Sequence, residues 1–145
     1  MNAKADCIFC QIVSGEKPCS PVYRDDGCTA FLDIRPINDG HLLVIPNRHA
    51  ASLADLDPDD GARLFRIGQK LAGALRTSGL RCEGVNLLLS DGRAAMQEVF
   101  HVHLHVIPRF VGDGFGLRFG PGFGRHPARE DLDAVADKIK NRMFA

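Results

Sequence analysis

Apolar and polar residues alternate strictly around residue 103, where three histidines are interleaved with aliphatic residues. A period of two predicts a β-strand, because successive side chains of a strand point to opposite faces. One face would carry the imidazoles of His101, His103 and His105, and the other would bring Val102, Leu104 and Val106 into a core. Pro108 is expected to end the strand or to confine that end to a sheet edge.

Shorter apolar runs predict further strands, over residues 22–24, 28–34, 41–46 and 85–90. The first two flank the turn-forming sequence Asp25-Asp26-Gly27. The third run is almost continuously apolar, which is typical of a central strand.

Helical spacing of apolar residues predicts one long helix and one terminal helix. The long helix begins with Asp57 as N-cap and Pro58 in its first turn, and it ends at Gly79. Its apolar stripe is Leu64, Ile67, Leu71 and Leu75. The terminal helix, over residues 127–145, is expected to pack through Leu132, Val135, Ile139 and Met143.

Composition narrows the class of protein. A chain of 145 residues, 45% hydrophobic and with a formal net charge of zero, fits one domain with a real core and without a surface for nucleic acid. No apolar run is long enough to span a membrane, and residues 1–6 lack the apolar stretch of a signal peptide. Five irregularly spaced cysteines argue against a disulfide framework. We therefore expect a cytoplasmic protein with reduced thiols.

Three histidines in register are difficult to explain by packing alone. Cα atoms two residues apart in a strand lie about 6.6 Å from each other, so the outer two histidines would be about 13 Å apart. A zinc ion needs each ligand nitrogen within about 2 Å, so all three cannot share one ion. The array fits a row of contacts along an extended substrate.

The Cys7-x-x-Cys10 pair has three interpretations: a redox pair, half of a zinc site, or two buried apolar residues. In a turn of helix, ended by Gly15 and Pro18, both sulfurs would lie on one side. A zinc ion needs two more ligands, and His49 with one histidine of the array could supply them. Cys19, Cys28 and Cys82 follow no such pattern and are expected to be structural.

Two other segments allow more than one interpretation. Phe31 and Asp33 share a face of their strand, which is either a surface accident or a nucleoside contact through ring and carboxylate. Residues 112–126 are rich in glycine and phenylalanine, and they form either a lid over the histidine face or an irregular surface loop.

Taken together, CIFCQIVSGEKP, AFLDIRPINDGHLLVIPNRH and HVHLHVIPR resemble successive segments of the histidine-triad (HIT) superfamily of nucleotidyl hydrolases and transferases. The resemblance covers about residues 6–110, with Hint-like and Fhit-like features. It implies an α+β fold: an antiparallel sheet of about five strands, one long helix, a short N-terminal helix and a C-terminal helix. Residues 1–145 would form a single HIT domain, and that domain would form a homodimer.

The resemblance also implies a chemistry. His103 would attack the α-phosphorus of a nucleotide and form a nucleotidyl-histidine, which water then hydrolyses. His105 would lie near the phosphate and leaving group, while His41 and His101 orient the nucleophile. The implied base pocket is Phe9, Ile12, Phe31 and Ile34, with Asp33 on the ribose, Gln97 on the phosphate side and Ser90 as a further nucleotide-binding residue. Substrates would be nucleoside phosphoramidates, acyl adenylates or dinucleoside polyphosphates.

The zinc-bearing bacterial members resemble the chain at the CxxC and at the histidine of IPNRH. They imply a tetrahedral structural zinc site of Cys7, Cys10, His49 and His101. Ser90, Met96 and Glu98 depart from the family pattern, and the Glu98 carboxylate would repel a phosphate unless it points away or is paired. Two alternatives stay open: a zinc-stabilised nucleotide-binding or scaffold module with little activity, and a nucleotidyltransferase.

Overall fold

The computed structural model describes residues 6–143. The chain divides into two compact units, residues 1–115 and residues 116–145. Among the described residues, no helix has both the length and the apolar character needed to cross a membrane.

The first unit contains a five-stranded sheet in which every neighbouring pair is antiparallel. Its strands are β1 (Pro21–Arg24), β2 (Cys28–Leu32), β3 (Leu42–Pro46), β4 (Gly84–Leu89) and β5 (Leu104–Arg109), in the order β1-β2-β3-β5-β4. The helices are α1 (Ile8–Ser14) and α2 (Pro58–Thr77) in this unit and α3 (Arg129–Met143) in the second. The predicted α+β class is confirmed.

The strand around the histidines is shorter than the alternation predicts, because β5 begins only at Leu104 and so excludes His101 and His103. Pro108 lies inside β5 rather than ending it. There β5 pairs with β4 alone, since its pairing with β3 covers only residues 104–106. The missing N–H of Pro108 therefore falls where β5 is locally an edge.

Helix α2 packs on one face of the sheet. Asp57 caps it by accepting a hydrogen bond from the main-chain N–H of Asp59 (2.9 Å), and Pro58 occupies the first turn. The predicted stripe is buried: Leu64, Ile67, Leu71 and Leu75. It contacts the aliphatic set Val102, Leu104 and Val106, whose burial the alternation predicts.

The opposite face of the sheet carries a second core and the histidines. Phe31 of β2, Leu43 of β3 and His105 of β5 lie in register across three strands and therefore share this face. Helix α1 covers part of it with Phe9 and Ile12, which pack in the same cluster as Phe31 and Leu43. Gly15 ends α1 in the left-handed conformation (φ 82°), as its position predicts.

The second unit, by itself, contains α3 and a stacked pair of rings, Phe119 and Phe123, with centroids 3.9 Å apart. Helix α3 forms where the apolar spacing predicts it, but the expectation that it packs is wrong for the chain as described. None of its residues is buried, including Leu132, Val135, Ile139 and Met143. The period of an amphipathic helix specifies a face but not the surface that covers it.

Candidate active site and metal centre

A cavity of about 580 Å³ opens on the histidine face of the first unit. Aromatic and aliphatic side chains form its floor, including Phe9, Phe31 and Leu43, which are all buried. Its polar groups are Asp33, His41, His103, His105, Arg35 and Glu98. A concave apolar surface with a few convergent polar groups is typical of a small-molecule site.

His103 is 6% exposed and lines this cavity. Its Nδ1–H donates a hydrogen bond to the main-chain carbonyl of His101 (2.7 Å), and Phe9 lies edge-on to its ring at 5.3 Å between centroids. Because Nδ1 is the donor, the neutral ring carries its lone pair on Nε2. An imidazole held in this tautomer is a competent nucleophile.

A second hydrogen-bond chain fixes the tautomers of His41 and His105. The main-chain N–H of Ile37 donates to His41 Nδ1 (3.2 Å), which leaves the proton of the neutral His41 ring on Nε2. His41 Nε2–H then donates to His105 Nδ1 (2.9 Å). The neutral His105 ring must therefore carry its proton on Nε2, where it can donate to a substrate oxygen or to a departing group.

Burial keeps these imidazoles neutral. It lowers the pKa of His105 to about 4, with further lowering from His103 and His41. Burial also lowers the pKa of His41 and of His103, although Asp33 and, for His103, the carbonyl of His101 partly oppose it. Near pH 7 the cavity therefore offers imidazole lone pairs and N–H donors rather than imidazolium charges.

The His101 side chain does not share the cavity, so the expected row of three rings along one cleft is wrong. His101 is fully buried, its Nε2–H donates to the carbonyl of Pro46 (2.8 Å), and its Nδ1 faces Cys7 and Cys10. The residue precedes β5, so the strand's alternation does not fix its direction. The expected orienting roles also change: the His103 ring is held by the His101 carbonyl, and the His41 ring holds His105 instead.

The four residues expected to bind zinc lie together. The ligand atoms of Cys7, Cys10, His49 and His101 are all within 4.8 Å of one another. The His101 Nδ1 atom is 3.5 Å from Cys7 Sγ and 3.6 Å from Cys10 Sγ, and His49 Nδ1 is 3.3 Å from Cys10 Sγ. Tetrahedral zinc with ordinary Zn–S and Zn–N bonds places such atoms about 3.6 Å apart. The set has the atom types and spacing of a closed metal centre, which favours the zinc interpretation of the Cys7-x-x-Cys10 pair.

Most of the expected nucleoside contacts line the cavity. Phe9 and Phe31 meet edge to face with centroids 5.7 Å apart, and Ile34 is 91% exposed at the rim. Asp33 Oδ1 accepts from the main-chain N–H of Arg35 (2.8 Å), and Oδ2 lies 3.8 Å from His41 Nδ1. Ile12 is an exception, because it is buried in the core cluster and is not among the cavity-lining residues.

Two of the expected nucleotide-binding residues do not reach the cavity. Gln97 is buried, and its amide holds the loop together: Oε1 accepts from the N–H of Gly92, and Nε2 donates to the carbonyls of Ala51 and Val99. With both amide N–H groups and the carbonyl engaged, it positions the loop rather than a ligand. Ser90 is buried and also absent from the described lining.

Sequence reasoning missed two residues at the cavity rim. Arg35 pairs with Glu98 at 2.9 Å, which resolves how that carboxylate is accommodated. Met96 lines the rim with φ 66°, a left-handed conformation that few residues other than glycine adopt. The unexplained charge of Glu98 was the only signal in the sequence that a cationic partner was needed.

The sequence profile of the HIT domain matches residues 14–112. A HIT-like protein of Mycobacterium tuberculosis (strain H37Rv) is 45% identical over 124 residues, covering 86% of this chain and 85% of that protein. An adenosine 5′-monophosphoramidase of Schizosaccharomyces pombe is 36% identical over 138 residues, covering 94% of this chain and 98% of that protein.

Solved structures of HIT proteins are also similar to this chain. A HIT family protein from Bacillus anthracis superposes with a TM-score of 0.86 at 38% identity, covering 94% of this chain and 96% of that one. A zinc-bound histidine triad family protein from Mycobacterium smegmatis superposes with a TM-score of 0.75 at 41% identity, covering 96% of this chain and 99% of that one.

Proposed function

The chain belongs to the HIT family, and from this we propose that it is a nucleotidyl hydrolase that cleaves at the α-phosphate through a nucleotidyl-histidine on His103. The observation that carries the proposal is the tautomer of His103: Nδ1–H is fixed on the His101 carbonyl, and the Nε2 lone pair belongs to a ring that lines the cavity. That arrangement supplies the nucleophile the reaction needs.

The first step forms a bond between His103 Nε2 and the α-phosphorus while the bond from phosphorus to the leaving group breaks. The His103 ring becomes cationic, and the hydrogen bond from Nδ1–H to the His101 carbonyl stabilises that charge. His105 Nε2–H donates to a phosphoryl oxygen or to the leaving group. In the second step water attacks phosphorus, the N–P bond breaks, the proton of the attacking water passes to solvent, and His103 recovers its lone pair.

The nucleoside would occupy the apolar side of the cavity. Phe9 and Phe31 offer ring edges and faces to a base, and the partly exposed Asp33 carboxylate can accept a ribose hydroxyl. The S. pombe relative's name supports a nucleoside phosphoramidate among the substrates. Acyl adenylates and dinucleoside polyphosphates present the same α-phosphorus and remain in the proposed substrate class.

We further propose that Cys7, Cys10, His49 and His101 hold a structural zinc ion, which the M. smegmatis neighbour supports by being zinc-bound. Four protein ligands leave no open position, so the ion would cross-link the chain rather than act on substrate. His101 would then be fixed at both ring nitrogens, which steadies the carbonyl that orients His103.

Replacement of the nucleophile tests the proposed activity. His103→Ala is expected to abolish turnover of adenosine 5′-phosphoramidate while keeping the affinity for AMP within about tenfold, because the ring carries chemistry more than binding. His126→Ala is the matched control, since His126 is exposed and lies in the second unit. His126→Ala should keep the wild-type rate, and turnover by His103→Ala at the wild-type rate would refute the proposal.

A further inference from the structure

The charge balance of the cavity is unusual for a site that would hold a phosphate. Two carboxylates, Asp33 and Glu98, line it. Of the described lining residues, Arg35 is the one that carries a permanent positive charge. The hydrogen-bond chain from Ile37 through His41 makes His105 an acceptor at Nδ1 and thus neutral. Within the lining that the structure describes, a permanent positive charge for a bound anion therefore comes from Arg35.

The Arg35–Glu98 pair joins two parts of the cavity lining. Arg35 follows β2 and is anchored locally, because its main-chain N–H donates to Asp33 Oδ1 at 2.8 Å. Glu98 lies in another part of the lining, in the segment that precedes β5. Its Oε2 accepts a hydrogen bond from Arg35 Nη2 at 2.9 Å. The pair consequently links two segments of the cavity lining that are 63 residues apart in the chain.

This ion pair can be exchanged for a ligand at little cost. Its side chains are 80% and 76% exposed, and ion pairs in such positions contribute little to stability. A guanidinium binds two oxygens of a phosphate or sulfate in a bidentate fork, so an incoming anion can replace the Glu98 carboxylate. Glu98 in turn disfavours an anion that Arg35 does not neutralise.

The position of the pair identifies the part of the substrate it meets. The α-phosphorus must lie against His103, which is 6% exposed, and the nucleoside occupies the apolar side with Phe9 and Phe31. Arg35 and Glu98 line the cavity with side chains that are 80% and 76% exposed, and Met96, another lining residue, is also 80% exposed. The substrate group that extends from the α-phosphorus toward solvent is the leaving group.

We infer that Arg35 binds the leaving group and, together with Glu98, makes the site prefer nucleotides whose leaving group is itself anionic, such as a further phosphate or a sulfate. This inference rests on the proposed function and refines its substrate class. In the free protein Glu98 holds the guanidinium in place, and in the complex the leaving-group anion takes over that contact. A neutral leaving group such as ammonia leaves the pair intact and gains nothing from it.

Substrate pairs with the same nucleoside test the inference. Wild type, Arg35→Gln and Glu98→Gln are compared for kcat/KM on diadenosine triphosphate, whose leaving group is ADP, and on adenosine 5′-phosphoramidate, whose leaving group is ammonia. Arg35→Gln is expected to lose about tenfold or more on the polyphosphate, the loss typical of a charge-assisted bond, and less than about threefold on the phosphoramidate. Glu98→Gln is expected to gain on the polyphosphate only.

Arg48→Gln is the matched control, because Arg48 is also an exposed arginine with carboxylate partners, Asp57 and Asp60, but it does not line the cavity. Its ratio of kcat/KM values on the two substrates should equal that of wild type. Equal losses on both substrates in Arg35→Gln would overturn the inference, as would a loss on the polyphosphate in Glu98→Gln.

A binding measurement separates failure of this inference from failure of the proposed function. Wild type is expected to bind ADP more tightly than AMP in calorimetric titration, and Arg35→Gln should remove that difference. If wild type turns over neither substrate, the proposed function fails. The ratio of the affinities for ADP and AMP then decides alone whether Arg35 selects a second phosphate. An unchanged ratio in Arg35→Gln would overturn the inference whatever the turnover.

Discussion

At the residue scale, the three histidines of the array occupy two different environments. His103 and His105 line the cavity, while the intervening Val102, Leu104 and Val106 pack in the core. The His101 side chain does not line the cavity because it contacts groups that are distant in sequence, the carbonyl of Pro46 and the thiols of Cys7 and Cys10. A pattern within ten residues carries no information about such contacts.

The same limit explains Gln97 and Ile12. The type of each residue suits a binding site, and the resemblance placed both there. What decides their roles is burial: Gln97 meets the carbonyl of Ala51, and Ile12 packs with Leu43 of β3. Both contacts are tertiary, so only the folded chain shows that these side chains serve the scaffold.

The lowered pKa values predict an acid-tolerant activity. The pKa of His105 falls to about 4 and that of His41 is also lowered, both from an ordinary value of 6.5. Because the neutral forms are the active ones, the acid limb of kcat/KM should have its midpoint below pH 6.5, and the profile should be flat from there to pH 8. A midpoint at or above 6.5 would contradict the burial of this pair.

The free energy of unfolding should also decrease at acidic pH because of these lowered pKa values. Below pH 6.5 the unfolded chain gains protons on these histidines that the folded chain does not bind, so the free energy of unfolding falls as the pH is lowered from 6.5 toward 4. Thermal melting across this range, measured beside the rate profile, identifies the pH at which lost activity reflects unfolding.

At the element scale, the close approach of α2 to β5 was visible only in the structure. A Cβ added at Gly68 would lie 2.8 Å from Leu104 Cδ2, whereas one added at Gly73 in the same helix meets nothing within 4 Å. The capping residues and the apolar stripe predicted α2 well, but no sequence pattern distinguished these two glycines.

Alanine substitutions at the two glycines test that packing. Gly73→Ala should raise the free energy of unfolding by about 0.5–1 kcal/mol, the usual gain in helix propensity. Gly68→Ala gains the same propensity but crowds the buried Leu104, so it should be less stable than Gly73→Ala by about 1 kcal/mol or more. Urea denaturation measures both variants, and equal stabilities would contradict the tight contact.

Helix α1 is too short to be stable by its own hydrogen bonds, and its N-cap residue Cys7 makes no side-chain capping bond. A metal ion bound to Cys7 and Cys10 would tie it to His101. We therefore expect about one zinc per chain in protein purified with reduced thiols and without chelator. Cys10→Ser should lose the zinc and melt at a lower temperature, because the closed site loses a thiolate.

Cys82→Ser is the control for the metal measurement, since Cys82 donates to the carbonyl of Gly84 and lies outside the cluster. It should keep the wild-type zinc content. Absence of metal from wild-type protein by elemental analysis would end the zinc proposal, and equal zinc in wild type and Cys10→Ser would place the ion elsewhere.

At the scale of the whole molecule, the order of elements followed from local patterns, whereas the pairing of strands did not. Apolar runs located every strand and the family resemblance implied an antiparallel sheet, whereas the order β1-β2-β3-β5-β4 came from the structure. Local periodicity specifies which face of a strand is apolar and leaves open which strands become neighbours. The division into two units at residue 116 was likewise not predicted.

The exposed stripe of α3 gives a physical reason to expect the homodimer that the resemblance implies. Leu132, Val135, Ile139 and Met143 are 41–70% exposed, and a contiguous apolar face of this kind usually marks an interface. Sedimentation equilibrium at micromolar concentration should therefore give twice the chain mass of 15.8 kDa. A mass of one chain throughout that range would contradict the dimer.

The covalent intermediate on His103 is the measurement that tests the central claim most directly. Wild-type protein mixed with adenosine 5′-phosphoramidate and quenched in base within milliseconds should carry one adenylyl group, and peptide mapping should locate it on His103. His103→Ala should carry none. Wild-type turnover without any adduct, or an adduct on another residue, would contradict the account.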